Sequence, residues 1–370
     1  MYRVILKTCD FLDVYLELEI RKYFKKEIKS LSKEFFEINF KSEKELCEFT
    51  VNFIYFSRSC ENIFLEVSDF ENEKLEQICE KNIQIKEEII GKQKLKLVDL
   101  VGFDLMKRDY MLNKSESSID LRAIIFGLYG LEIDRKKKSF SLIDPYANFG
   151  EVILESSNFN PRTPLNLRKR FDFNVCKIFK FTPSMPKEQI GAISNYTAIV
   201  LDNVKFKQLK ENIAFSSQKI KISQFDFTWL DVKFQKDEFD FVITSFPKFK
   251  DEKETKDFCD KFFYQAEFIA KQGICVISHE KIDLKYSRKY GIPLGFKKEL
   301  KIENKSYFVY VFWEIQRFRV TEIQVQSLRK LHTVTHKFVR YNLKQVQIVS
   351  VVGYHRRYRD SEFIYYEMKR

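Results

Sequence analysis

The chain has 370 residues, room for two or three domains, and its 44% hydrophobic and 16% aromatic content argues against wholesale disorder. A net charge of +12 fits a polyanionic partner such as RNA. The seven cysteines are scattered, odd in number and never spaced as CxxC, which argues against a disulfide framework and a zinc knuckle, so no metal site is expected. No apolar run approaches a membrane span and the first residues lack a signal-peptide layout, so the expectation is a soluble cytoplasmic protein with no membrane partner.

In chain order, the alternation from Tyr2 to Leu6 predicts a strand, apolar spacing from Leu16 to Leu31 a helix, and 35–40 a second strand. A helix over 43–56 and the strand-like NIFLEV follow, which suits a small α+β module with helices on one face of a sheet. Residues 72–100 are charged and give no clear period. A helix is predicted from Ser117, with Ser117 as its N-cap and Asp120 three residues on. From there strands SFSLIDP, YTAIVLDN, KISQFDF, FDFVITSFP, GICVISH and SYFVYVFWEI alternate with helices, among them 206–215 and a long one from Glu254 stopped by Gly273. Long apolar strands between amphipathic helices predict a mainly parallel sheet covered on both faces, whose ligands lie at the carboxyl ends of the strands. Residues 157–195, with four prolines, read as an irregular insertion. After residue 315, twelve basic residues stand against four acidic ones, and HRRYRD there could grip phosphates or be a solvated extension. His332 and His336, four apart without a third ligand, read as exposed histidines.

Two stretches carry a resemblance. FIYFSRSCENIFLEV is similar to the Ser-Arg segment that closes the N-terminal ferredoxin-like subdomain of the THUMP-domain RNA methyltransferases, and GFDLMKRDYMLN resembles their link into the catalytic domain. A helix and DPYANFGE then follow in the order of that family, where D-P-x-x-G-x-G-T is usual. The resemblance runs to about residue 315. It implies an α/β architecture: a ferredoxin-like, shortened THUMP-like RNA-binding module over 1–100, a Rossmann-like class I methyltransferase domain over 101–315, and a basic extension over 316–370. It also implies S-adenosylmethionine as cofactor and RNA, in particular tRNA, as partner.

Site residues follow from that alignment. Asp144 stands where a carboxylate helps hold the methionine end, and Gly150 where backbone approaches the ligand and a helix opens. Asn148 and Glu151 replace the family's glycine and threonine. Asp202, after the second strand, suits the ribose hydroxyls; Asp226 suits the adenine amino group, with Phe227 packing on the base. Taken singly, each such Asp also reads as a turn or helix cap. Ser245, Phe246 and Pro247 occupy the place of the N-P-P-aromatic loop, whose side-chain oxygen and backbone carbonyl receive the hydrogens of a target amine. Phe249 or Phe246 could stack on a flipped base, and Arg58, Lys107 and Arg108 are candidate contacts to the RNA backbone. The implied activity is S-adenosylmethionine-dependent methylation of an exocyclic amine, most simply guanine N2 of tRNA. One alternative is an inactive methyltransferase-fold RNA-binding scaffold, favoured by the lost glycines and the Ser-Phe-Pro loop. Another is a DNA amino-methyltransferase, favoured by that loop alone.

Overall fold

A computed structural model describes residues 1–108, 112, 118–133, 139–159, 165, 172–184, 194–216 and 218–313. Ser117, most prolines of the predicted insertion, and everything expected of 316–370, including the two histidines and HRRYRD, lie outside the described residues.

Residues 1–315 form one compact unit containing two sheets. The first has strands β1 (Tyr2–Lys7), β2 (Lys29–Ser30), β3 (Phe35–Phe40), β4 (Asn62–Glu66), β5 (Ile85–Ile90) and β6 (Gln93–Asp99), with helices α1 (Asp13–Glu19), α2 (Glu43–Phe56) and α3 (Asn72–Cys79). Its order is β2-β3-β1-β4-β6-β5, antiparallel throughout. The first four strands with α1 and α2 make the β-α-β-β-α-β ferredoxin-like arrangement. The charged stretch 72–100 resolves into α3 and the β5–β6 hairpin, which extends the sheet beyond β4. Its period escaped the sequence because exposed Lys86, Glu87, Lys94 and Lys96 are interleaved with few buried apolar residues in this strand pair. The helix expected to reach Leu31 is shorter. After α1 one wider turn, Ile20–Phe24, ends at Lys25 in the left-handed region (φ 51), and the chain returns as β2.

The second sheet has strands β7 (Ser141–Asp144), β8 (Asn195–Ile199), β9 (Ile220–Ser223), β10 (Phe239–Ser245), β11 (Ala270–Ser278), β12 (Leu294–Ile302) and β13 (Lys305–Trp313). Around it lie α4 (Leu121–Gly130), α5 (Glu151–Phe159), α6 (Asn174–Phe179), α7 (Asn203–Ser216), α8 (Leu230–Lys233), α9 (Glu252–Ile269) and α10 (Lys285–Lys289). The order is β12-β13-β11-β10-β7-β8-β9; β7 to β11 run parallel and β13 antiparallel to both neighbours. The α4 N-cap is Asp120, whose Oδ1 accepts from Arg122 N at 2.9 Å, three residues later than expected. Gly273 does not stop α9. The helix ends at Ile269, and Gly273 lies inside β11, where a Cβ would come within 3.2–3.3 Å of Leu131 and the Phe312 carbonyl. Part of the expected irregular insertion is ordered: α6 packs Phe173, Val175 and Cys176 into the core of the N-terminal module.

The two sheets are joined across α4 and α5. Tyr15 stacks on Tyr129 at 4.2 Å, and Phe11 meets Phe126 edge-on at 5.9 Å. The carboxylate of Glu19 is buried there. It accepts from Ser57 Oγ and Ser59 Oγ at 2.7 Å each, from Arg58 N at 3.0 Å, and from the Tyr129 hydroxyl. Every residue of α5 after Glu151 is buried, although Glu155, Ser156, Ser157 and Asn158 are polar, because α5 lies between the sheet and the N-terminal module.

Candidate active site

The chain leaves β7 outward through β8 and β9, then returns to β10 on the other side of β7. In sheets of this kind such a reversal marks the usual ligand crevice, at the carboxyl ends of the flanking strands, here β7 and β10. Asp144 is the last residue of β7 and is fully buried. Its Oδ1 accepts from Thr244 Oγ1 of β10 at 2.7 Å and from Tyr146 N at 3.1 Å. Its Oδ2 is buried with no hydrogen-bond partner. Burial pushes the carboxyl up to about 7, against the opposing pull of those two hydrogen bonds. An unpaired buried carboxylate oxygen is costly, and a ligand cation such as the α-ammonium of S-adenosylmethionine is a chemically fitting partner.

The acids after β8 and β9 both act on Tyr146, a residue that no sequence motif singles out. Burial, then the charges of Glu254, Asp226 and Asp202, raise its phenol pKa. Asp202 is exposed and caps α7, its Oδ1 accepting from Lys205 N at 2.8 Å. Asp226 is half-buried and accepts from Thr228 N at 2.9 Å. Both therefore perform the cap role that was the plainer expectation. Ser245 ends β10, one residue after the Thr244 that holds Asp144.

Several expected roles change. Gly150 does adopt a left-handed φ of 91°, but a Cβ there would meet Leu209 Cδ1 at 2.4 Å. The space its missing side chain frees is taken by α7 rather than left to a ligand. Phe246 is almost fully buried against Phe258 and Phe262, at 5.0 and 4.8 Å between rings, so its ring is core and not a stacking face. Phe227 is likewise buried, 4.9 Å from Phe258, with little face left for a base. Arg58 is fully buried and donates to Asn158 O at 2.6 Å; Arg108 is buried and pairs with both oxygens of Glu155 at 3.1–3.2 Å. Neither can reach a nucleic acid: both join the N-terminal module to α5. Lys107 is exposed, and Phe249 and Pro247 are half-buried.

The loop between β7 and α5 keeps its turn without the second glycine. Asn148 takes φ 47, which asparagine tolerates better than most residues, and its Oδ1 accepts from Lys205 Nζ at 2.9 Å. Glu151 is half-buried at the head of α5 and accepts from Ser118 Oγ; desolvation there raises its pKa.

No family model and no curated protein matches the sequence. Solved structures do. A possible methylase from Clostridium difficile 630 superposes with a TM-score of 0.59 at 15% identity, covering 86% of this chain and 99% of that one. SMU.472, a candidate methyltransferase complexed with SAH, gives 0.58 at 12% identity, over 86% and 99%. TrmN from Thermus thermophilus gives 0.57 at 12% identity, over 85% of this chain and all of that one. Coverage of that extent takes in both sheets. At these identities the likeness establishes architecture: the chain has a Rossmann-like class I methyltransferase fold preceded by an N-terminal α+β module.

Proposed function

We propose that the protein is an S-adenosylmethionine-dependent methyltransferase acting on an exocyclic amine of RNA, with guanine N2 of tRNA the leading target. The observation that carries this reading is the unpaired, buried Oδ2 of Asp144 at the sheet's reversal point; its other oxygen is held by Thr244, which precedes Ser245 at the end of β10. The fold is shared with a candidate methyltransferase complexed with SAH and with TrmN, which supports the cofactor and a transfer-type chemistry.

Bound in the crevice, S-adenosylmethionine supplies an electrophilic methyl group. The Asp144 carboxylate receives the ammonium of its amino-acid end, while Asp202 and Asp226 border the nucleoside end. Ser245 Oγ accepts one hydrogen of the target amine, and a backbone carbonyl of the Ser245–Pro247 loop accepts the other, which aims the nitrogen lone pair at the methyl carbon. Phe249 is the remaining aromatic able to stack on the target base, since Phe246 is committed to the core. The net charge of +12 and exposed Lys107 suit a phosphate backbone.

A scaffold reading is favoured by specific observations: Gly150 is filled by Leu209, and the loop after β10 points its first aromatic inward. Two measurements decide. Calorimetry should detect SAH binding to the whole protein, and labelled methyl should pass to bulk tRNA rather than duplex DNA. In that assay Ser245→Ala should slow transfer by about tenfold, the worth of one hydrogen bond made in the transition state, without weakening SAH. Absence of heat at millimolar ligand leaves the scaffold; transfer to duplex DNA alone leaves a DNA enzyme.

A further inference from the structure

A loop that binds an amino-acid carboxylate through glycine backbone needs its N–H groups bare and close, and here Asn148 and Glu151 crowd that loop. Glu151 adds a second, half-buried carboxyl whose charge pushes the Asp144 pKa further up, while the Lys205 ammonium pulls that of Glu151 down. Two acids suit an ammonium and repel a carboxylate, so the zwitterionic end of the cofactor lacks an obvious cation on β7 or α5. The cation comes from the next helix. Lys205 sits in the first turn of α7, half-buried, with its ammonium donating to Asn148 Oδ1 at 2.9 Å and lying 5.9 Å from the centre of the Tyr146 ring. Among the described residues it forms no ion pair. Asn148 and Tyr146 belong to the same short loop, and Tyr146 N donates to Asp144, so Lys205 and the unpaired Asp144 oxygen bracket one turn of chain.

We infer that Lys205 is a cofactor-binding residue: held over the loop by Asn148, its ammonium receives the carboxylate of the S-adenosylmethionine amino-acid end while Asp144 receives the ammonium. The inference rests on the cofactor assignment above. It gives a reason for the asparagine: the residue that replaces a glycine carries the side chain that positions the replacement cation. A charge-assisted contact thereby does what backbone N–H groups do elsewhere.

The test uses the full-length chain and three ligands in calorimetry: SAH, its amine analogue lacking the carboxylate, and 5′-methylthioadenosine, which lacks the whole amino-acid end. Lys205→Met should weaken SAH by about tenfold or more, as expected for a hydrogen bond to a charged group, and leave the other two within about twofold. Lys205→Arg should recover much of the loss, and Asn148→Ala should weaken SAH alone by a smaller factor. Equal weakening of all three ligands, or none, overturns the inference. If Lys205→Met instead weakens only RNA binding, Lys205 is a phosphate contact and the inference is also overturned. A wild-type protein that binds none of the three ligands sinks the cofactor assignment itself, a result distinct from selective indifference to the carboxylate.

Discussion

Burial is the main reason that the Asp144 carboxyl is held at about 7 rather than near 4. A pKa raised on folding means that the folded state binds the proton more tightly than the unfolded chain. The stabilising contribution is complete below the unfolded value and is lost as pH climbs through the folded one. Melting temperatures of wild type and Asp144→Asn should therefore diverge between about pH 4 and pH 7 in favour of the variant, then run parallel above. SAH affinity should behave in the opposite sense: it should rise by up to about tenfold per pH unit towards 7 in the wild type, because only the ionised carboxylate pairs with an ammonium, and stay flat in the variant. At this scale the sequence was legible for position: Asp144 and Ser245 do end their strands, β7 and β10. It was not legible for Arg58 and Arg108. An arginine aligned with an RNA-binding family reads as a phosphate contact, and only the closure of α5 against Arg58 and Arg108 shows them to be internal.

At the scale of elements, α5 connects the crevice to the join between the sheets. It opens at Gly150, buries the Arg108–Glu155 pair along its length and ends at the Asn158 carbonyl that receives Arg58. Breaking one side of a buried, doubly hydrogen-bonded ion pair strands the other charge. Arg108→Ala should cost about 3–5 kcal/mol in urea denaturation, whereas replacing both partners by apolar residues of similar size should cost much less. Gly150→Ala tests the opening of α5. The left-handed backbone alone costs an alanine about 1–2 kcal/mol, and the Leu209 contact adds to it. Stability should therefore fall without any ligand, which a glycine needed only for ligand approach would not show. Two helix ends were misread from sequence, each for its own reason. Near Ile269 the misreading arises because β11, which follows directly, buries the same kind of residue; after Phe24 the left-handed Lys25 ends the helical path.

For the whole molecule, charge is unevenly distributed: residues 316–370 carry a net +8 of the chain's +12. Each neutralised phosphate contributes a fixed increment to salt dependence, so a chain ending at 315 should bind bulk tRNA more weakly and with a shallower salt slope. If affinity and slope are unchanged in filter binding, those basic residues make no phosphate contacts and the nucleic-acid surface lies elsewhere. The N-terminal sheet and the larger sheet form one compact unit through Glu19, Tyr129 and the aromatic pairs beside them. The N-terminal module therefore holds a fixed place against α4 and α5.

The sequence by itself determined the alternation of strands and helices, the position of Asp144 and Ser245 at strand ends, and a parallel sheet, because periodicity and turn chemistry are local properties of the chain. Only the tertiary structure decided which polar groups are buried and what meets the loop after β7. Filling Gly150 with Leu209, sealing Arg58 and Arg108 inside, and bringing Lys205 over Asn148 all depend on residues dozens of positions apart. Their proximity is set by how the layers pack, and no local pattern encodes it.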